Sequence, residues 1–122
     1  MPRFTESRRS LLGLVVLVLA VSLGSQWWGH WQEQRLGREI ARLAATGDIV
    51  MISSDTCGFC DMARLWMKEH QVAFSECSVE RDEACRQRQQ LSLLQVTPVI
   101  LVRGQAQAGF NPKRIHDRLA AG

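Results

Sequence analysis

The chain contains no internal repeat, no low-complexity tract and no long linker, so its 122 residues have room for one domain. No stretch interleaves basic runs with aromatics. The formal net charge is only +3, and Arg3, Arg8 and Arg9 of that balance sit in the first ten residues. The remainder is close to neutral, which argues against a nucleic-acid surface. There is no glycine-rich phosphate loop, no nucleophilic triad and no paired-carboxylate pattern. The three histidines, His30, His70 and His116, are scattered, and none adjoins a cysteine. They read as solvated or capping residues. What the chain does have is an apolar run near its start and four cysteines, all of them downstream of that run.

The N-terminal run sets the expected compartment. Leu11–Leu23 (LLGLVVLVLAVSL) carries no charge, and with the residues to Trp28 the uncharged stretch reaches 18 residues. At about 1.5 Å per residue this spans roughly 27 Å, near the short end for a membrane helix. Basic residues ahead of it hold the N-terminus in the cytoplasm and send the rest across, against the weaker pull of Arg35, Arg38 and Arg42. Trp27, Trp28 and Trp31 form an interfacial belt that favours a retained anchor. A cleaved signal peptide, with Ser22-Leu23-Gly24 as its site, is the competing reading. The expected layout is a cytoplasmic basic tail at 1–10, an anchor at 11–28 and a domain at 32–122. That domain would lie in the periplasm of a bacterial-type inner membrane, or be released there if the leader is cut. Either location permits disulfides, consistent with an even number of cysteines.

Within the domain, Leu36, Ile40 and Leu43 recur at helical spacing over 32–45, and Gly47 follows as a stop. Ile49–Ser53 is a short apolar strand. Residues 60–70 read as a helix whose Met62, Trp66 and Met67 form a core-facing stripe rather than a copper cluster. Residues 72–77 alternate as a second strand, and 82–94 form the next helix. Pro98–Val102 is a buried-type strand, Arg103-Gly104 turns the chain, and 105–108 pairs back along the edge. Asn111-Pro112 starts a last helix: Asn caps the first amides and Pro takes the first helical position. Ile115 and Leu119 would face the core, with Lys113, Arg114 and Arg118 in solvent. Strands alternating with helices, ending in a hairpin, imply an α/β domain with a mixed four-stranded sheet and helices on both faces.

Cys57-Gly58-Phe59-Cys60 lies directly after a strand and at the start of a helix. At that spacing the sulfurs share the first turn, where a disulfide closes. Unpaired amides and the partial positive charge of the helix start stabilise a thiolate on Cys57. Cys57 would attack a substrate disulfide, and the more buried Cys60 would resolve the mixed disulfide. Asp55 and Asp61 lie close enough in sequence to oppose the thiolate somewhat. Cys77 and Cys85, with seven residues between them, are expected to form a structural disulfide. A second redox relay is the alternative, and a four-cysteine zinc site fits the spacing poorly. No cofactor and no metal are expected. The competing function class is a copper or zinc module using Cys57 and Cys60 as ligands, which a trans Pro98 would favour.

Ser54–Cys60 (SDTCGFC) resembles the active-site segment of the thioredoxin superfamily, and Val96-Thr97-Pro98 resembles its cis-proline loop. The resemblance covers most of residues 32–122. It implies a thioredoxin-like fold and thiol–disulfide oxidoreductase activity, with Pro98 cis against the dithiol and Phe59, Thr97 and Pro98 lining the substrate site. The compact length is similar to glutaredoxins, whereas the Gly-aromatic dipeptide is more like exported disulfide isomerases and reductases. Ser54-Asp55 stands where glutaredoxins carry a lysine, and Gly109-Phe110-Asn111 is what remains of their glutathione motif. The implied partners are disulfides of proteins or small thiols, with glutathione not obligatory, together with the membrane.

Overall fold

The computed structural model describes residues 3–122. The first two residues of the basic tail expected at 1–10 lie outside the described residues. The helix α1 (Arg3–Leu43) is followed by β1 (Ile49–Ser53), α2 (Gly58–Glu69), β2 (Ser75–Ser78), α3 (Glu83–Leu91), β3 (Val99–Val102), β4 (Gln105–Ala108) and α4 (Pro112–Ala120). The chain divides into two compact units at Glu33/Gln34. The first consists of the apolar part of α1, which is long and apolar enough to cross a membrane, with a mean hydropathy of 1.9 in its most apolar window. Its leucines and valines are exposed all round, as a helix expecting lipid would be.

The second unit is built on one sheet in the order β2-β1-β3-β4. β1 runs parallel to β2 and antiparallel to β3, and β4 pairs antiparallel with β3, so the sheet is mixed. Strand periodicity splits the core in two. Ile49, Met51, Ile100 and Val102 point to one face, against Ile40 of α1, Ala63 and Met67 of α2, and Ile115 and Leu119 of α4. Ile52 and Val99 point to the other, against Cys85 of α3. Helices on both faces of a four-stranded mixed sheet are the architecture expected from the order of apolar runs.

The β3–β4 turn shows how local chemistry fixes the register. Val102 pairs with Gln105, leaving Arg103-Gly104 as a two-residue loop with φ of +49° and +84°. Two positive φ angles match the twist of a tight hairpin. Glycine adopts this freely; Arg103 is held there by its amide on the Asp48 carbonyl (2.7 Å) and its guanidinium on the Leu119 carbonyl (3.1 Å). The second strand begins three residues later than the alternation from Val72 suggests. Gln71 takes φ +57° at the end of α2, and the Val72 amide still donates to the Met67 carbonyl (2.9 Å). Val72 is therefore a buried plug of the α2 terminus and not a strand residue. α3 likewise stops at Leu91, short of Leu94, because Leu93 adopts φ +61°.

Candidate functional site

Both loops that meet at the dithiol leave the same end of the central strands. β1 ends at Ser53, and the turn Ser54–Thr56 delivers Cys57 to the N-cap of α2. The turn closes on itself, since the Cys57 amide donates to the Ser54 carbonyl (3.3 Å). At the cap the position usually filled by a serine or aspartate oxygen is taken by sulfur: Cys57 Sγ accepts the Cys60 N–H at 3.1 Å. Cys57 and Cys60 are joined in a disulfide, with Cα atoms 5.3 Å apart. Cys60 is fully buried and Cys57 partly exposed. The N-terminal sulfur is therefore the more accessible of the two.

The second loop brings Thr97-Pro98, whose peptide bond is cis, beside Phe59 and Met62 at the start of α2. Phe59, Met62, Thr97, Pro98, Gly109 and Phe110 line a cleft of about 340 Å³ there. None of these six carries a charge. Phe59 is 74% exposed and Met62 67%, so the cleft has a projecting apolar lip. Met62 corrects the expected inward stripe of α2. The buried positions are Cys60, Ala63 and Met67, and Trp66 is half-buried. Met62 precedes Ala63 by one residue, about 100° round the helix, which turns it onto the cleft face with Phe59. The cis-proline loop is tied to α3 by the Gln89 side-chain amide, which donates to the Val96 carbonyl (3.1 Å).

Charge around the dithiol is largely paired. Asp55 meets Arg81 at 3.1 Å and Asp61 meets Arg64 at 2.7 Å, so the two carboxylates expected to oppose a thiolate are partly neutralised. Arg64 also grips Glu76 on β2, and these hydrogen bonds hold its guanidinium charged far above neutral pH. Sequence reasoning did not single out Glu80. Its carboxylate accepts from the Ser54 and Ser78 hydroxyls and, at 3.1 Å, from the Asp55 amide. The Ser54 hydroxyl, then that of Ser78, pulls its pKa down from about 4.5 to about 2. No motif or spacing signals this residue, because its partners lie 2 to 26 positions away.

Cys77 and Cys85 are joined in a second disulfide, with Cα atoms 5.9 Å apart, linking β2 to the first turn of α3. Cys85 is buried beside Ile52 and Val99. His70 ends α2, but its ring is packed rather than solvated. It stacks on Trp66 at 4.1 Å, and its Nδ1 lies 2.9 Å from the Trp66 carbonyl oxygen. His116 is paired with Glu39 at 2.9 Å, and His30 is exposed. Among the described residues no three His, Cys, Asp or Glu side chains gather into a metal-ligand group.

The glutaredoxin family model matches residues 49–106, which hold both disulfides and both site loops. No curated protein matches. The thioredoxin-like protein BC3987 is similar in structure, in a mutant form with TM-score 0.54 and 24% identity over 63% of this chain and 100% of that one. Without that mutation the values are 0.52 and 25% over 57% and 97%. A mutated buckwheat glutaredoxin has the same fold, with TM-score 0.50 and 11% identity over 75% and 94%. The unit that follows the apolar helix has a thioredoxin-like fold, and residues 49–106 within it are similar to the glutaredoxins.

Proposed function

We propose that this protein is a membrane-anchored periplasmic thiol–disulfide oxidoreductase working through Cys57 and Cys60. The observation that carries the reading is the sulfur cap of α2. The Cys57 sulfur already accepts a helix amide (3.1 Å), and a thiolate there gains from the same hydrogen bond and from the helix dipole. In the reduced protein the Cys57 thiolate attacks one sulfur of a substrate disulfide. A mixed disulfide forms, and the first substrate thiolate leaves. Cys60, losing its proton, then attacks the Cys57 sulfur and expels the second substrate thiolate. The substrate gains two electrons and the protein is left as the Cys57–Cys60 disulfide described above. A thiol donor returns it to the dithiol.

The cleft of Phe59, Thr97 and Pro98 is the proposed substrate contact. Its uncharged lining favours disulfides flanked by apolar residues, in proteins or small thiols, and gives glutathione carboxylates no cation within the cleft. Cys77–Cys85 acts as a brace. The proposed layout is a cytoplasmic tail at 1–10, an anchor at 11–28 and the redox domain at 32–122. The apolar run of α1 and its tryptophans support it. The test uses the full chain in detergent micelles with insulin as disulfide substrate and dithiothreitol as donor. Turnover is expected in the wild type and none in Cys57→Ser, whereas Cys60→Ser accumulates the mixed disulfide on Cys57. Insulin reduction that survives Cys57→Ser refutes the assignment. The equilibrium potential against glutathione then sets the direction: near about −270 mV the protein is a reductase, near about −120 mV an oxidant.

A further inference from the structure

The turn that presents Cys57 is held from outside by a single carboxylate. Ser54 opens the turn: its carbonyl accepts the Cys57 amide (3.3 Å), and its hydroxyl lies 3.5 Å from the Thr56 amide nitrogen. Glu80, in the connection between β2 and α3, accepts the Ser54 hydroxyl on one oxygen. On the other it accepts the Asp55 amide (3.1 Å) and the Ser78 hydroxyl (2.9 Å). Asp55 is fixed in turn by Arg81. Glu80 is exposed, and an exposed glutamate ordinarily spends its conformational freedom in water. Three donors from two segments of chain give it one position. The connection it stands on is itself closed into a ring by Cys77–Cys85, which encloses Glu80.

We propose that Glu80 is a positioning residue for thiol–disulfide exchange, locking the Ser54–Thr56 turn so that Cys57 Sγ sits on the amides at the start of α2. This rests on the reading of Cys57 as the attacking thiol. Two effects of the carboxylate on Cys57 have opposite signs. As a negative charge near the helix start it opposes the thiolate, alongside Asp55 and Asp61, while Arg81 and Arg64 offset those two. As a clamp it keeps the sulfur on its hydrogen bond and favours the thiolate. If only charge mattered, losing Glu80 would make Cys57 more acidic and faster to react at neutral pH. If positioning dominates, the change goes the other way.

The experiment measures the pH profile of Cys57 alkylation by iodoacetamide in the reduced full chain in micelles, together with kcat/KM for insulin reduction. The variants are wild type, Glu80→Ala, Glu80→Gln and Ser54→Ala. Glu80→Ala is expected to move the alkylation profile to higher pH and to lower kcat/KM about tenfold, as loss of a charge-assisted hydrogen bond would. Glu80→Gln keeps a carbonyl acceptor without the charge and is expected to stay within about threefold of wild type. Ser54→Ala removes one of the three donors to Glu80 and should shift the profile in the same direction by less, and the double variant should fall short of the sum of the two, since both act on the same clamp. An unchanged profile in Glu80→Ala, or an equal shift to lower pH in Glu80→Ala and Glu80→Gln, overturns the proposal. If Glu80→Ala does not fold, the profile of Ser54→Ala decides alone. An inactive wild type would instead sink the oxidoreductase reading itself, which Cys57→Ser checks separately.

Discussion

Replacing Cys77 and Cys85 together by alanine should cost the protein a large part of its stability, and the amount follows from where the bridge lies. The bond spans a sequence separation of 8. Releasing a closed loop of about nine residues returns roughly 8.6 cal/mol/K to the unfolded chain, or about 2.6 kcal/mol at 25 °C. Cys85 is buried against Ile52 and Val99, so deleting its sulfur adds a small cavity of about 1 kcal/mol. Cys77 is only half-buried and adds less. The expected total of about 3.5 kcal/mol corresponds to a fall in Tm of roughly 15–25 °C for a domain of this size. Thermal unfolding of the full chain in micelles, followed by near-UV circular dichroism, measures it, with the Cys57–Cys60 pair kept oxidised in both samples. A fall under about 5 °C would refute the reasoning. It would mean that the β2–α3 connection is held by Asp82 and the packing of α3 without help from the covalent bond.

Two further outcomes are expected. Gly37→Ala should destabilise the domain even though alanine favours a helix by about 1 kcal/mol. An added Cβ would lie 2.1 Å from His70 Cδ2, and that ring is fixed by its stack on Trp66 and its contact with the Trp66 carbonyl. The clash outweighs the propensity gain by about 1–2 kcal/mol, seen as a lower Tm and a changed Trp66 near-UV band; a higher Tm would show that the ring yields freely. The second outcome concerns acid. Hydrogen bonds from Ser54 and Ser78 hold the Glu80 carboxylate down to about 2 from about 4.5. A depressed folded-state pKa contributes stability that is complete above the unfolded value and lost as pH falls from about 4.5 through about 2. The Glu80 side-chain carboxyl resonance should therefore titrate with a midpoint near 2, and a midpoint at the ordinary carboxylate value would show that the clamp does not form in solution.

Features carried by short-range chemistry were legible before any coordinates. Ile49–Ser53 is a strand with the bounds its apolar run suggests. Asn111 caps α4, its side-chain oxygen 3.1 Å from the Lys113 amide, and Ile115 and Leu119 are buried. These depend on neighbours within four residues. What escaped depends on tertiary packing. Val72 looks like the first residue of an alternating strand, yet the left-handed Gln71 turns it into the α2 terminus. Met62 shares its hydrophobicity with Met67, and nothing in composition tells the cleft face of α2 from the sheet face. Gly37 lies in an ordinary helical pattern, and its need to be glycine arises from His70, 33 residues away in the sequence.

Spacing also gives little account of the proposed division into one reactive and one structural cysteine pair, since each pair has a sulfur at a helix start, Cys57 at α2 and Cys85 at α3. The difference lies in which group caps each helix. At α3 the Asp82 carboxylate accepts the amides of Ala84 (3.0 Å) and Cys85 (3.3 Å). The helix start is thereby satisfied by an anion, and a second anion at Cys85 would be formed next to it inside an apolar cluster, with desolvation and like charge both opposed. At α2 no carboxylate takes the cap; the Cys57 sulfur is itself the acceptor, so ionising it strengthens a hydrogen bond that already exists. Exposure points the same way, because Cys57 is partly exposed, whereas Cys85 is sealed. The same dipole acts at both helices, and the proposed difference in chemistry follows from whether sulfur or carboxylate occupies its positive end.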